Sequence, residues 1–372
     1  MAGKLKILFV IPTLTAGGAE RVIINLVKGI NKEIFDVHLA VLDNRNAVFL
    51  EDIPVDVIFH DLNVKRVRHG VLRLFRLIAR LKPQVIFSTL SHLNLALAIF
   101  KPFIRKKTVL IARETIVLSY GINEYKFRAV WNFLFKVFYN NVDFLVCQSQ
   151  DMQMDLVNNF RIKREKTKVI NNPCDAIGIR EKILSETIIQ KIPLINKHND
   201  TLNLVSVGRL VHQKGFDLLL DAFSKLNNKN IKLTIIGDGP LREELEAIAK
   251  NLDIDERVSF LGFVKDPYKI IRDSDAFILP SRYEGFPNIV LEALACGTPV
   301  IATPAPGGIK EILSNRDECV ISESISGVSL AEAIIFWING DKARVPLEAS
   351  EPYSLSHIIK KYQDLFIECS LT

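Results

Sequence analysis

At 372 residues, the chain is longer than one ordinary hydrophobic core supports and suits two domains of typical size. Hydrophobic residues make up 48% of it, with ordinary glycine and proline and no low-complexity tract, which excludes a disordered or fibrous chain. The net charge of +6 is modest, and much of the excess sits in Lys65–Lys82 and Lys101–Lys107, without the aromatic-rich or recognition-helix signature of a nucleic-acid reader.

The first element is a buried strand, because Ile7-Leu8-Phe9-Val10-Ile11 is continuously apolar within Lys4–Pro12. A small-residue turn follows, and a helix starts near Ala19 with apolar positions at Val22, Ile23, Leu26, Val27 and Ile30. Strands are then expected at Val37–Leu42, Val55–Phe59, Val85–Ser88, Val109–Ala112 and Phe144–Gln148, with helices at Val71–Leu81 and Tyr125–Tyr139. Val169–Pro173 reads as a strand ending in a turn, and Lys168–Asp200 as the link between domains. A second series runs through strand Leu202–Val207, helix Phe216–Leu226, strand Lys232–Ile236 and helix Leu241–Asn251. Strand Val258–Leu261, helix Tyr268–Asp273, strand Ala276–Leu279, helix Ile289–Cys296 and strand Pro299–Ala302 complete it. Strict alternation implies two mainly parallel sheets, that is, two Rossmann-like domains facing a cleft. The expected bounds are 1–175 with a returning helix in 354–372 for the first domain, and 200–353 for the second.

The most specific stretch is Ser281-Arg282-Tyr283-Glu284-Gly285-Phe286-Pro287-Asn288-Ile289-Val290-Leu291-Glu292. A strand ends just before it and a helix begins near Asn288, so the free N–H groups of Asn288 and Ile289 would face an anion such as a diphosphate. Glu292, one turn into that helix, can accept both hydroxyls of a ribose, and Glu284 in the loop is placed for the hydroxyls of a sugar. Taken singly, either acid is as well explained as a surface or helix-stabilising Glu.

Glu284 and Glu292, with seven residues between them, resemble the EX7E motif of family 4 retaining glycosyltransferases of the GT-B fold. Ser281…Glu284-Gly285-Phe286-Pro287 and Ala293…Gly297-Thr298-Pro299-Val300 are similar to the same family. So are Val207-Gly208-Arg209-Leu210…Lys214-Gly215, Ile235–Leu241 and Val258–Gly262, in the family's order. The resemblance implies that Arg209 and Lys214 bind a diphosphate, that Glu284 and Glu292 serve a nucleotide-sugar, and that cations and a helix dipole replace a metal ion. Neither a metal nor a cofactor is expected. Asp238 reads as a turn residue beside Gly239. Glu311 matches a family acid near the donor, although Asn315–Ser322 has no Gly-rich turn such as many relatives carry.

In the first half, Ala16-Gly17-Gly18-Ala19-Glu20-Arg21 resembles the family's GGAER loop, which implies backbone approach to the donor at Gly17 and Gly18. Glu20 and Arg21 are equally well read as helix-cap residues. His92, in Ser88-Thr89-Leu90-Ser91-His92-Leu93-Asn94, stands where relatives place a histidine near the reacting carbon, although Thr89 competes for that position and a structural histidine is the alternative. Arg113-Glu114-Thr115 reads either as a ligand contact or as a loop ion pair.

The five cysteines show no metal or CxxC spacing and read as reduced thiols. Ile7–Pro12 is too short for a signal sequence, and no stretch approaches the ~20 apolar residues that span a bilayer. Lys65–Lys82 and Tyr125–Tyr139 mix basic and apolar residues suited to a lipid interface, or else to a core-packing face with solvated basics. The expected protein is a cytoplasmic, membrane-peripheral hexosyltransferase. Its donor would be a UDP-linked hexose or N-acetylhexosamine and its acceptor a glycan on a polyprenyl diphosphate carrier, as in bacterial surface glycan assembly. The alternatives are a catalytically silent GT-B partner subunit and a GT-B sugar-nucleotide epimerase.

Overall fold

The computed structural model describes residues 3–370 apart from 16, 46, 65–66 and 186–200, with no side-chain description at 67–69. Two compact units divide the chain: residues 1–173 with 355–372, and residues 174–354.

The first unit comprises β1 (Leu5–Thr13), α1 (Gly18–Gly29), β2 (Phe35–Asp43), β3 (Ile58–Asp61), α2 (Val67–Leu81), β4 (Val85–Thr89) and α3 (Ser91–Phe100). It continues with β5 (Val109–Arg113), α4 (Leu118–Asn123), α5 (Arg128–Phe138), β6 (Phe144–Cys147), α6 (Gln150–Phe160) and β7 (Thr167–Val169). Its sheet has seven parallel strands ordered β3-β2-β1-β4-β5-β6-β7.

The second unit comprises α7 (Ala176–Leu184), β8 (Leu202–Val207), α8 (Phe216–Ser224), β9 (Ile231–Ile236), α9 (Arg242–Asn251), β10 (Val258–Phe260) and α10 (Tyr268–Asp273). Then come β11 (Ala276–Leu279), α11 (Asn288–Ala295), β12 (Val300–Ala302), α12 (Ile309–Leu313), β13 (Val320–Ile321) and α13 (Gly327–Asn339). Its six-stranded parallel sheet is ordered β10-β9-β8-β11-β12-β13. The chain returns to the first unit as α14 (Leu355–Ser370).

Each sheet is buried on both faces, which explains why its strands read as unbroken apolar runs. In the first unit, α2, α3, α5 and α6 cover one face around Leu74, Leu97, Phe135 and Phe160, and α1 and α14 cover the other. Helix α14 enters that second core through Phe366, whose ring meets Phe9 at 5.9 Å, Phe87 at 5.5 Å and Phe35 at 6.4 Å between centroids. These edge-on aromatic contacts, fully buried, add to the ordinary area term.

Three boundaries differ from expectation for local reasons. Val57 donates to the Pro54 carbonyl in a turn, so the third strand begins at Ile58 rather than Val55. Phe127 takes a left-handed backbone (φ 64°), which stops a helix from running through Tyr125 and starts α5 at Arg128. The expected interdomain link contains a helix, α7, capped by the Asp175 carboxylate accepting from Gly178 N, while residues 186–200 of that link lie outside the described residues.

Phe366→Ala should destabilise the first unit by about 3–5 kcal/mol through lost burial and an aromatic-lined cavity. Urea denaturation followed by a first-unit probe measures this, and a loss under 1 kcal/mol would show that α14 is not part of that core.

Candidate active site

Both sheets reverse their strand order next to the first strand of the unit: between β1 and β4 in one, between β8 and β11 in the other. In open α/β sheets, ligands bind outside the carboxyl ends of the strands at such a switch point. The residues singled out from the sequence follow those strands: Gly17 and Gly18 after β1, His92 after β4, Arg209 after β8, and Ser281 to Glu284 after β11.

In the second unit, the loops after β8 and β11 are stitched together. Arg282 N donates to Gln213 O at 2.8 Å, and the Gln213 side-chain amide donates to Tyr283 O at 3.0 Å. The Arg282 guanidinium forms a fork on Asp217 at 2.7 and 2.5 Å and also donates to His212 O at 2.9 Å. The fork holds the Asp217 carboxyl below the usual carboxylate range against the opposing effect of its burial. Gly215, with φ 64°, leaves room for the Pro280 carbonyl, which a Cβ would meet at 2.1 Å.

These braces bring two candidate residues into direct contact. Lys214 Nζ lies 2.6 Å from Glu284 Oε1, and the Ser281 hydroxyl donates to the same oxygen at 2.6 Å. Glu284 is buried and Lys214 half-buried, so this is a desolvated pair with its geometry fixed from both loops. Glu284 N donates to Pro306 O at 2.9 Å, and Gly308 N to Gly285 O at 2.7 Å. A Cβ on Gly307 (φ 123°) would come within 2.5 Å of the Glu284 carbonyl, so only glycine allows this approach.

Arg209 is exposed, and its guanidinium has no side-chain hydrogen bond or ion pair among the described residues. Gly285 and the buried Phe286 lead into Pro287, which caps α11 with no side-chain hydrogen bond. The N–H groups of Asn288 and Ile289 therefore open the helix without a capping side chain. Glu292 lies within α11, buried, and its charge adds to the burial that pushes the Cys296 thiol up to about 12. The exposed Asp238, in the loop after β9, accepts from Gly239 N at 2.7 Å. Glu311 is half-buried on α12, and Asn315 adopts φ 65° where relatives have a Gly-rich turn. Among the described residues, no three His, Cys, Asp or Glu side chains form a metal-binding group.

In the first unit, Glu20 folds back over the turn at Gly17 and is buried, accepting from the Thr13 and Thr15 hydroxyls at 3.3 and 3.1 Å. Arg21 lies over the Phe49 ring at 5.9 Å. His92 is the second residue of α3, exposed, with desolvation lowering its pKa. The preceding Leu90 is held at φ 76°, an unusual conformation for a branched residue and one that concentrates at functional turns. Thr89 is fully buried, whereas His92 is the group presented to solvent.

Arg113 and Glu114, read from the sequence as ligand contacts or as a loop ion pair, are both fully buried. Glu114 accepts from Ser91 Oγ at 2.6 Å, from Asn94 Nδ2 at 2.9 Å and from the Tyr139 hydroxyl, while burial raises its pKa. It clamps the start of α3. Sequence reasoning missed Ser91, Asn94 and Tyr139 in this role, because their spacing from Glu114 carries no local pattern.

Two family models match the chain, one in each half. Residues 16–176 match the family model for Glycosyltransferase Family 4, and residues 188–350 that for Glycosyl transferases group 1. Among curated relatives is the N-acetylgalactosamine-N,N'-diacetylbacillosaminyl-diphospho-undecaprenol 4-alpha-N-acetylgalactosaminyltransferase of Campylobacter jejuni, 28% identical over 89% of this chain and 90% of its own. A second Campylobacter jejuni protein, GalNAc-alpha-(1->4)-GalNAc-alpha-(1->3)-diNAcBac-PP-undecaprenol alpha-1,4-N-acetyl-D-galactosaminyltransferase, is 27% identical over 98% of this chain and 99% of its own. The solved structure of HepE from Anabaena in complex with UDP and glucose matches with a TM-score of 0.77 at 20% identity, covering 98% of this chain and 99% of that one. Sucrose-phosphate synthase from Thermosynechococcus elongatus gives 0.80 at 15% identity over 98% and 99%. These structural likenesses establish the fold expected from the sequence.

Gly307→Ala should cost about 1–3 kcal/mol, because alanine is strained at this φ and its methyl meets the Glu284 carbonyl. A urea midpoint equal to wild type would show that the two loops part without cost.

Proposed function

As a member of glycosyltransferase family 4, with two Rossmann-like units of the GT-B fold, the chain transfers sugars, and we propose that its donor is a UDP-linked hexose or N-acetylhexosamine used with retention of configuration. The observation that carries this reading is the Lys214–Glu284–Ser281 cluster at a switch point, with the unpaired Arg209 on the adjoining strand end. An amino group held at 2.6 Å by a buried carboxylate is oriented before any ligand arrives. Charge grows on the leaving nucleoside diphosphate as the glycosidic C–O bond breaks. Cations at Lys214 and Arg209, with the N–H groups opening α11 at Asn288 and Ile289, oppose that charge. Glu292 accepts the ribose hydroxyls, Glu284 those of the donor sugar, and Gly285, Phe286 and Pro287 shape the loop between them. The resemblance to the family gives Gly17 and Gly18 a backbone role toward the donor and His92 a role at the reacting centre.

The acceptor in this reading is a glycan on a polyprenyl diphosphate, handled at the inner face of the cell membrane in surface-glycan assembly. Support comes from the two Campylobacter relatives, whose names specify undecaprenol-linked substrates, and from the first unit's surface. No helix among the described residues is long and apolar enough to cross a membrane. The surface does expose Leu72, Phe103, Phe127, Val130 and Phe133 beside Arg76, Arg80, Arg105, Lys106, Lys107 and Arg128. The apolar residues of the two candidate interfacial helices are divided, however. Leu74, Leu77, Ile78 and Phe135 belong to the core, so only part of the expected lipid face is available. Arg73 also leaves that face, because it donates to the carbonyls of Leu62 and Asn63 at 2.7 and 3.2 Å.

Glu292→Ala should weaken UDP-sugar binding by about 1.5–3 kcal/mol in calorimetry, the value of hydrogen bonds to a charged acceptor. Lys214→Ala and Arg209→Ala should each lower turnover roughly 10²-fold in folded protein. Wild-type affinity in the first, or near-wild-type rates in the other two, would remove these residues from the site.

Arg76→Glu with Arg80→Glu should release the protein from anionic vesicles while sparing hydrolysis of soluble donor. Each basic group near such a surface contributes about 1 kcal/mol. Co-sedimentation at two ionic strengths checks this, since salt should mimic the substitutions. Equal binding by wild type and variant would make this helix a solvated face.

A further inference from the structure

Arg113 is fully buried, yet no carboxylate lies within ion-pair distance of it among the described residues. Arginine is almost never buried in this way without a paired charge, and an apolar side chain of similar volume would fill the space at lower desolvation cost. Packing alone therefore does not account for it. Its contacts show what it holds. One terminal nitrogen donates to Asn172 Oδ1 at 2.6 Å and the other to Thr89 Oγ1 at 3.2 Å. Asn172 precedes Pro173, the residue at which the chain leaves the first unit. Thr89 ends β4 and precedes the strained Leu90 and then His92.

Tyr362 belongs to the core on the same face of the sheet. It lies on α14, the helix by which the chain re-enters the unit, and its ring packs on Phe87 of β4 at 5.5 Å. Its hydroxyl and the guanidinium interact electrostatically, although Arg113 Nε and Tyr362 OH both lack a hydrogen-bond partner of good geometry. Glu20, folded over the Gly17 turn, also acts on Arg113 through its charge. Asn172 is fixed a second time, since its amide donates to Gln148 Oε1 at 3.1 Å, and the Gln148 amide in turn donates to Glu114 O at 2.6 Å.

We propose that Arg113 is a positioning residue that ties the segment through which the chain leaves the first unit to the strand end carrying His92. Its planar fork reaches Asn172 and Thr89 at once, which a point charge on a flexible stem does not reproduce. The activity arm of the test rests on the glycosyltransferase reading above, and the exchange arm does not.

The test compares wild type with Arg113→Met and Arg113→Lys in the full chain. Hydrogen exchange read by mass spectrometry, without ligand, should show residues 170–172 exchanging at least tenfold faster in both variants, with α9 unchanged. Turnover should fall at least tenfold while the donor KM stays within twofold, because the residues assigned to the diphosphate and ribose, Arg209, Lys214 and Glu292, lie in the second unit. Lysine should not rescue. Should Arg113→Met fail to fold, Asn172→Ala removes one partner alone, and it should speed exchange of residues 170–172 and lower turnover several-fold. Unchanged exchange in a folded variant overturns the proposal. Faster exchange at wild-type turnover also overturns it, since the contact would then be structural only, as does a donor KM that rises in step with the loss of rate. A wild type that transfers no sugar would sink the functional reading, while the exchange comparison would still decide whether Arg113 holds residues 170–172.

Discussion

Parallel strands cannot be joined by tight turns; each connection must cross a face of the sheet and begin again at the same edge. In this chain that constraint operates twice, and it sends every strand-to-helix loop of a unit to one edge. The strand order then reverses beside β1 and beside β8, leaving crevices that no crossover covers. Residues separated by 70 positions, such as Lys214 and Glu284, become neighbours because β8 and β11 are neighbours. The site depends on the topology before it depends on any side chain.

Much of this was legible in the sequence because doubly covered strands must be apolar throughout. Ile7–Ile11 and Ala276–Leu279 announce themselves, and loops of Gly, Pro and acidic residues at their carboxyl ends stand out against them. Helix α7 was not legible, since it follows Pro173 in a mixed polar stretch and its cap, Asp175, is an ordinary turn residue. Helix α13 is apolar around most of its circumference, so it lacks the stripe that marks a surface helix. Within the site, Glu284 and Lys214 could be singled out, but their mutual contact could not. Nor could the chain of groups from Asn172 through Arg113 to Thr89, which joins segments far apart in sequence and follows no periodicity.

The two units treat buried charge differently. In the second, Glu284 meets Lys214 directly, and the outer braces, such as Arg282 on Asp217, are partly exposed. A pair of this kind leaves no uncompensated charge and keeps its cation half-open to a ligand. In the first, Glu114 and Arg113 are adjacent in sequence but alternate across the sheet. Glu114 faces α3 and Tyr139, which follows α5, and Arg113 faces the side of the sheet that α14 covers. Each meets neutral hydroxyls and amides rather than an opposite charge, and Arg113 Nε has no hydrogen-bond partner among the described residues, an arrangement that tolerates little further loss.

That difference bears on how α14 is held. Its apolar face packs Ile358, Ile359, Leu365 and Phe366 against the core, a contact that fixes the helix along its length but is non-directional. The Tyr362 ring adds an edge contact on Phe87 at 5.5 Å, which sets α14 against β4, the strand that Thr89 ends. Aromatic packing therefore supplies the attachment of α14. The Arg113 guanidinium joins Thr89 to Asn172, so the turn that presents His92 inherits its position from the segment by which the chain leaves the unit.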